Sequence, residues 1–215
     1  MQTDPMQRGK FITFEGSEGC GKSTQIGRFV QLLQSRGLNV LQTREPGGTA
    51  VGEKIRNLLQ HDEDAEGLSE ESELLLFAAS RAQLVREVIA PALDEGTWVV
   101  ADRFLDSTTV YQGFARGLDI GAVQRINAFA VGATMPDMTI LLDLDAATGH
   151  ARAVTASGGE GDRMEAQPLE FFEKVRNGYL ALAEAEHERV RLIDASGSIE
   201  EVAGQIEAAT KDLFT

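Results

Sequence analysis

Gly16-Ser-Glu-Gly-Cys-Gly21-Lys22-Ser23-Thr24 satisfies the spacing G-x-x-x-x-G-K-[ST], a spacing with a physical purpose. Glycines let successive backbone amides turn inward to form an anion nest, and a helix opening at its end adds a positive dipole. In such a loop Lys22 reaches the β- and γ-phosphates of a nucleoside triphosphate and the Ser23 hydroxyl holds Mg²⁺. The expected nucleotide contacts of such a loop are therefore Gly16, Ser17, Glu18, Gly19, Cys20, Gly21, Lys22, Ser23 and Thr24. A glycine-rich turn that happens to contain Lys-Ser is the competing reading. A strand pattern before it and a helix pattern after it argue for the phosphate site. Cys20 fills a variable slot, where small-residue packing is a simpler role than that of a reactive thiol.

Two further groups could serve the same chemistry. Asp102 follows the apolar run Trp98–Ala101, a position from which a carboxylate binds Mg²⁺ directly or through water. Arg103 comes next, at the carboxyl end of a strand, where open α/β sheets place their ligands; an Asp–Arg pair capping the strand is the plainer alternative. In the segment from Glu70, Leu74, Phe77, Ala78, Val85 and Val88 form an apolar stripe that Arg81 interrupts. A guanidinium on such a stripe is costly unless paired or facing a polar cleft. One reading is a ligand pocket with Phe77 as stacking face and Arg81 as hydrogen-bond fork. The other is a core-edge arginine paired with a carboxylate such as Glu53 or Asp102, and the residues alone leave both open. His61, His150 and His187 have no metal-like spacing, and no Ser/His/Asp nucleophile can be argued. Transfer to a phosphate acceptor needs none, because a monoester with a second pKa of ~6 is already largely ionised at pH 7.

The elements that must hold these groups are legible as alternation. Lys10–Glu15, Asn39–Thr43, Thr97–Ala101, Met138–Asp143 and Val190–Ile193 read as strands. Helical spacing follows the phosphate loop, with Gly37 at its C-terminal cap position, and recurs in 51–60, 70–93, 122–131, 169–188 and 199–213. Strands separated by helices imply crossover units: an α/β fold with a mostly parallel sheet and helices on both faces. His61–Glu73, with seven carboxylates and no Lys or Arg, reads as a solvated connection and an acidic first helical turn. Val154–Gly161, bounded by Arg152 and Arg163, is too rich in glycine and small residues for a helix. It reads as a flexible flap whose preceding helix ends at Arg152.

Composition narrows the partners. The 215 residues suit one domain spanning 1–215. The net charge of −14 repels phosphate backbones and anionic lipid surfaces, so a general nucleic-acid binder is not expected. A small anionic substrate is allowed where positive charge is concentrated locally. The lone Cys20 rules out an intrachain disulfide and fits a reducing cytoplasm. No secretory h-region and no apolar run of membrane-spanning length is present, so the expectation is a soluble protein.

With these residues in view, the chain resembles the bacterial thymidylate kinases from about Gly9 to its C-terminus. The resemblance is carried by FEGSEGCGKST, TREPGGT (Thr43–Thr49), LLFAASRAQL (Leu75–Leu84), DRFLDSTTVYQG (Asp102–Gly113) and DRMEAQPLEFFEKVRNGYLALA, which begins at Asp162. It implies a three-layer P-loop kinase fold, with a five-stranded parallel sheet flanked by helices and a short lid at about 152–165. It also implies ATP as phosphoryl donor, Mg²⁺, dTMP as acceptor giving dTDP for dTTP synthesis, and a homodimer. By the same resemblance Phe77 stacks on thymine, Arg81 and Thr108 bond the base, and Tyr111 crowds a ribose 2′-hydroxyl. Glu18 lies near the 3′-hydroxyl, the Arg44, Glu45, Pro46 loop lines the acceptor site, and Arg103 bridges acceptor and donor phosphates. This favours the pocket reading of Arg81. Relatives without an arginine in the P-loop usually carry several in the lid; here Arg152, then Arg163, is expected on the donor phosphates. A kinase for another monophosphate and a GTPase-like switch are the alternatives. For a switch, the N-K-x-D signature is absent, and Asp194-Ala-Ser-Gly197 fits D-x-x-G only on the fifth strand, too late in the chain.

Overall fold

The structure is a computed structural model, and it describes residues 8–62, 65, 67–156, 158 and 167–214. Five strands form one parallel sheet: β1 (Phe11–Glu15), β2 (Val40–Arg44), β3 (Trp98–Asp102), β4 (Met138–Asp143) and β5 (Val190–Asp194). Their spatial order is β2-β3-β1-β4-β5, so β1 lies centrally between β3 and β4. In register, Phe14 of β1 stands beside Asp102 of β3. The loops that follow these two neighbouring strands carry the phosphate-binding sequence and Arg103, at the sheet's carboxyl edge.

Alternation along the strands sorts the core. Ile12 and Phe14 face α1 (Lys22–Ser35) and α9 (Ile199–Ala209), packing with Ile26, Phe29, Leu33, Val202 and Ile206. Phe11, Val99 and Ala101 face the opposite way, against Leu84, Val85 and Ile89 of the long helical segment after Ser69. Both faces are covered, which is why β1 can be fully buried from end to end. That segment starts as α3 (Glu70–Leu84), widens into a π-helical turn (Val85–Ile89) and ends as α4 (Ala90–Asp94). It runs as one helical stretch over the expected 70–93.

α2 (Ala50–His61) lies beside α3, and α3 packs on α6 (Ile120–Val131). On the other side, α7 (Ala146–Ala156) and α8 (Leu169–Ala185) complete the layer, and a 3₁₀ turn (Lys211–Phe214) follows α9. Gly37, expected as a cap, has φ 80° and closes the turn after α1.

Three expectations need correction. α7 continues through Val154 and Thr155 to Ala156, so Arg152 sits inside a helix and does not end it. The rest of the expected flap, and Arg163, lie almost entirely outside the described residues. Next, Leu105–Ala115 is helical, as α5 (Leu105–Thr108) continued by a π-helical turn (Thr109–Ala115). Thr108, Thr109, Val110 and Gly113 all disfavour helix intrinsically. Packing overrides them: Val110, Tyr111 and Ala115 are buried against Phe171, Phe172 and Val175 of α8. Finally, Glu73 is not a solvated member of the acidic run. It is 2% exposed and accepts from Arg116 Nε at 2.7 Å and Gln112 Nε2 at 2.8 Å. Its neighbours Glu70 and Glu71 do stay exposed in the first turn of α3, behind the Ser69 cap.

Candidate active site

A cavity of about 660 Å³ opens along the carboxyl edge of β1 and β3. At one end lie Gly19, Gly21, Lys22, Ser23 and Thr24; at the other, Arg44, Glu45, Pro46, Phe77, Arg81 and Thr108. Glu18 and Tyr111, bonded to each other, lie where the two meet. Asp102 and Arg103 stand between the two sets, and Arg152 of α7 also faces the cavity. The residues singled out from sequence therefore converge, apart from Arg163, which is not described. Gly16, Ser17 and Cys20 are buried in the loop without lining the cavity. Cys20 packs with the core beneath α1.

The loop's conformation explains its glycines. Gly16, Gly19 and Gly21 have φ of 139°, 68° and 91°, which L side chains rarely adopt. Gly19 is needed a second time, because a Cβ there would lie 2.1 Å from the Gly149 carbonyl oxygen of α7. The helix that carries Arg152 is thus seated directly on the phosphate loop. Lys22 Nζ donates to the Gly16 and Ser17 carbonyls at 3.1 and 2.9 Å, which keeps the ammonium at the loop. Ser23 is exposed at the start of α1 and Asp102 half-buried at the end of β3.

Arg103 adopts φ 68°, the one non-glycine residue with positive φ among those described. Its guanidinium is enclosed by polar groups. Nη2 donates to Glu18 Oε1 at 2.8 Å and to Tyr111 OH at 3.2 Å; Nη1 donates to Ser107 Oγ and Tyr179 OH at 3.1 and 3.2 Å. Tyr111 OH in turn donates to Glu18 at 2.7–2.8 Å. Burial works against the Arg103 charge, but Tyr111, Glu18, Tyr179 and Glu15 around it more than offset that and hold it protonated. Burial also pushes the Tyr111 hydroxyl well above the ordinary phenol range.

Arg81 is 1% exposed, and the carboxylate beside it is Glu45, not Glu53 or Asp102. Nε donates to Glu45 Oε2 at 2.8 Å, Nη1 to Asn127 Oδ1 at 2.7 Å, and Nη2 to Thr108 Oγ1 at 2.8 Å and the Phe104 carbonyl at 3.2 Å. The arginine is paired in the interior, and it also lines the cavity. Glu53 instead accepts from Gly48 N and Arg44, fixing the Arg44–Gly48 loop at α2. Burial outweighs the attraction of Arg81 and lifts the Glu45 carboxyl to about 7. Its second oxygen, Oε1, has no hydrogen-bond partner among the described residues.

A sequence model described as thymidylate kinase matches residues 14–206 of the chain. The chain belongs to the thymidylate kinase family. It is 51% identical over 204 residues to the thymidylate kinase of Desulfosudis oleivorans, covering 93% of this chain and 95% of the relative. It is 46% identical over 204 residues to that of Gloeobacter violaceus, with 95% of each chain covered. The crystal structure of thymidylate kinase from Ehrlichia chaffeensis superposes with a TM-score of 0.76 at 34% identity, covering 95% of this chain and 99% of that one.

Within this thymidylate kinase architecture, several cavity and network residues escaped the reading of the sequence. Arg56 of α2 lines the cavity and donates to the Pro46 carbonyl at 2.9 Å. Its position in an amphipathic helix looks like that of any solvated arginine. Asn127 is 1% exposed and donates to the Leu105 carbonyl and Thr109 Oγ1, locking α6 to α5. Glu15, Ser107 and Tyr179 surround Arg103 from β1, α5 and α8. An acidic residue ending an apolar strand was the available signal for Glu15; Tyr179, in an ordinary amphipathic helix, offered none.

Proposed function

We infer that this chain is a thymidylate kinase that transfers the γ-phosphoryl group of ATP to dTMP, giving dTDP and ADP. The observation that carries it is the single cavity with a phosphate loop at one end, a buried Arg81 beside Phe77 at the other, and Arg103 between them. The flat Phe77 ring and the Arg81–Thr108 pair suit a pyrimidine base. Tyr111, fixed by Glu18, narrows the space a ribose 2′-hydroxyl would need. Arg44 and Arg103 place positive charge where the acceptor phosphate would lie, in a protein whose net charge is −14.

In the reaction, an oxygen of the dTMP phosphate attacks the γ-phosphorus as the bond to the β,γ-bridging oxygen breaks. No general base is required, so catalysis is alignment and charge neutralisation. Lys22 neutralises the β- and γ-phosphates, Arg103 holds acceptor and donor phosphates together, and Arg152 approaches from α7. Arg163, the second lid arginine, shares that task in this proposal. Ser23 and Asp102 fit Mg²⁺: a hydroxyl and a carboxylate, hard oxygen donors, line the same cavity on adjacent elements. Bound there, the ion would neutralise charge on the β- and γ-phosphate oxygens.

A homodimer is part of the same proposal. Val51 of α2, Leu75 of α3 and Phe129 of α6 are 51%, 55% and 84% exposed on three helices packed side by side. Such apolar exposure suits a subunit contact. One domain over 1–215 and a reducing, cytoplasmic setting complete it; the buried, unpaired Cys20 supports the latter. The deciding assay is coupled ADP release with ATP and a panel of nucleoside monophosphates. dTMP-dependent turnover is expected. Preference for another monophosphate would reassign the acceptor, and slow acceptor-independent hydrolysis would point to a switch protein.

A further inference from the structure

Glu15 ends β1 one residue before the phosphate loop, is wholly buried, and belongs to none of the nucleotide contacts described above. Its carboxylate nevertheless meets four donors. Oε1 accepts the backbone N–H of Phe104 at 2.8 Å and of Ser107 at 3.3 Å. Oε2 accepts Ser107 Oγ at 2.6 Å and Tyr179 OH at 2.7 Å. Phe104 is the N-cap of α5 and has no side-chain cap of its own. Glu15 supplies, from another element, the acceptor that a serine or aspartate cap would provide.

The same two hydroxyls accept from Arg103 Nη1. Each hydroxyl has one proton and two acceptor lone pairs. With both protons directed at the carboxylate, their lone pairs are left facing the guanidinium. The two hydroxyls also lie 2.9 Å apart and can bond to each other. The arrangement with both protons on the carboxylate is nevertheless the one that presents both oxygens to Arg103 and fixes one edge of the arginine. The backbone is held on the same side: Arg103 N donates to the Phe14 carbonyl at 2.9 Å, and Phe104 N donates to Glu15. A long side chain at φ 68° persists only where its surroundings over-determine it. The opposite edge, Nη2, is bonded to Glu18 and Tyr111, which border the cavity.

We propose that Glu15 is a positioning residue for phosphoryl transfer: through Ser107, Tyr179 and the first turn of α5 it anchors the Nη1 edge of Arg103, leaving Nη2 to exchange Glu18 for phosphate oxygens. The inference rests on the thymidylate kinase reading. Its physical basis is that a displacement of about 1 Å in an aligned charged group can cost on the order of 100-fold in rate. A glutamine at position 15 keeps the shape but has one acceptor oxygen and must donate from its nitrogen. A hydroxyl that accepts from this nitrogen must send its own proton elsewhere, so the arrangement that holds Arg103 Nη1 is no longer fixed.

The test is steady-state kinetics of the full chain with ATP and dTMP for Glu15→Gln, Ser107→Ala/Tyr179→Phe and the triple variant, with a crystal structure of each folded variant. Glu15→Gln is expected to lower kcat about 30-fold while KM for ATP changes less than about threefold. The hydroxyl pair should cost a comparable factor. Adding Glu15→Gln to that pair should then cost less than about threefold more, because the relay is already cut. Multiplicative losses, or a lower Tm with kcat unchanged, would overturn the inference. Should Glu15→Gln fail to fold, the hydroxyl pair decides: kcat within about threefold of wild type overturns it. A wild-type chain that makes no dTDP would sink the thymidylate kinase reading. The crystal structures address the anchor separately: an Arg103 guanidinium that leaves its position supports it, and one that stays put overturns it.

Discussion

At the end of the cavity proposed for the acceptor, Arg81 is 1% exposed, and Glu45, Asn127, Thr108 and the Phe104 carbonyl hold its guanidinium. At the donor end, Lys22 is half-buried, Ser23 and Arg152 are exposed, and the loop's own carbonyls receive Lys22 Nζ. One end is a piece of the core that opens onto the cavity; the other is a surface of charges on a glycine frame. The difference separates two ways of spending a charged side chain. A buried, fully bonded arginine reads shape and hydrogen bonds but ties recognition to folding stability. An exposed lysine or arginine contributes little to folding and is free to follow the phosphates through the reaction. Mutations at the two ends should therefore fail differently.

The largest effect is expected from Lys22→Ala, which should reduce kcat by at least about 10³-fold, since it removes charge neutralisation at the phosphates themselves. Its Tm should stay close to wild type, because exposed or half-exposed substitutions typically cost within about 0.5 kcal/mol. Turnover and thermal melts on the same purified sample check both. Near-normal turnover would contradict the phosphate-site reading. A large drop in Tm would erase the contrast between the ends.

Arg152→Ala comes next, with a loss on the order of 10² in kcat and little change in dTMP affinity. It lies one turn beyond Gly149, where α7 rests on the phosphate loop, so it approaches the donor from a fixed base. If kcat stays within about threefold, under 1 kcal/mol of barrier, while Arg163→Ala is crippled, the two lid arginines have exchanged roles. If neither matters, the donor side is complete without them.

Arg81→Ala should weaken dTMP by about 1.5–3 kcal/mol, the worth of a charged hydrogen bond, and leave ATP affinity nearly unchanged. Unlike the donor-end variants it should also lower Tm, since breaking a buried pair costs about 3–5 kcal/mol. That cost should shrink below pH 7, where Glu45 takes up a proton and no longer stands as a bare buried charge. Calorimetric titration with each nucleotide separates the outcomes. Equal losses for dTMP and ATP would make Arg81 purely structural.

The contrast also explains what could be read from sequence. The donor end was legible because it is local: Gly16 to Thr24 is one contiguous stretch with spacing imposed by phosphate geometry. The five strands and most helices were legible for the same reason, since apolar periodicity is local. The acceptor end is assembled across the chain. Glu45, 36 residues from Arg81, is its partner, while Glu53 and Asp102 were equally plausible on paper. Only family resemblance separated pocket from ion pair; the ion pair is present, with Glu45, and Arg81 also lines the cavity. Leu105–Ala115 was missed because its β-branched residues and glycine speak against a helix that long-range burial enforces. α7 overran its expected end because Val154 to Ala156 read as the start of a flexible stretch.

The smallest effect concerns protons at the acceptor end. Glu45 is raised from 4.5 to about 7, chiefly by burial and against the pull of Arg81. The folded state therefore holds this proton more tightly than the unfolded chain does. Its contribution to stability is fully present below about pH 4.5 and is lost as pH rises through about 7. Glu45→Gln mimics the protonated group and has no such dependence. The wild-type Tm minus the Glu45→Gln Tm should accordingly fall between pH 5 and 7.5, by about 2 °C or more, and then flatten. Melts of both proteins across that range, without nucleotides, are sufficient. A difference that stays flat, or rises with pH, would mean that Arg81 keeps Glu45 ionised throughout. The acceptor end would then be a permanent ion pair, closer in character to the charged donor end than its burial suggests.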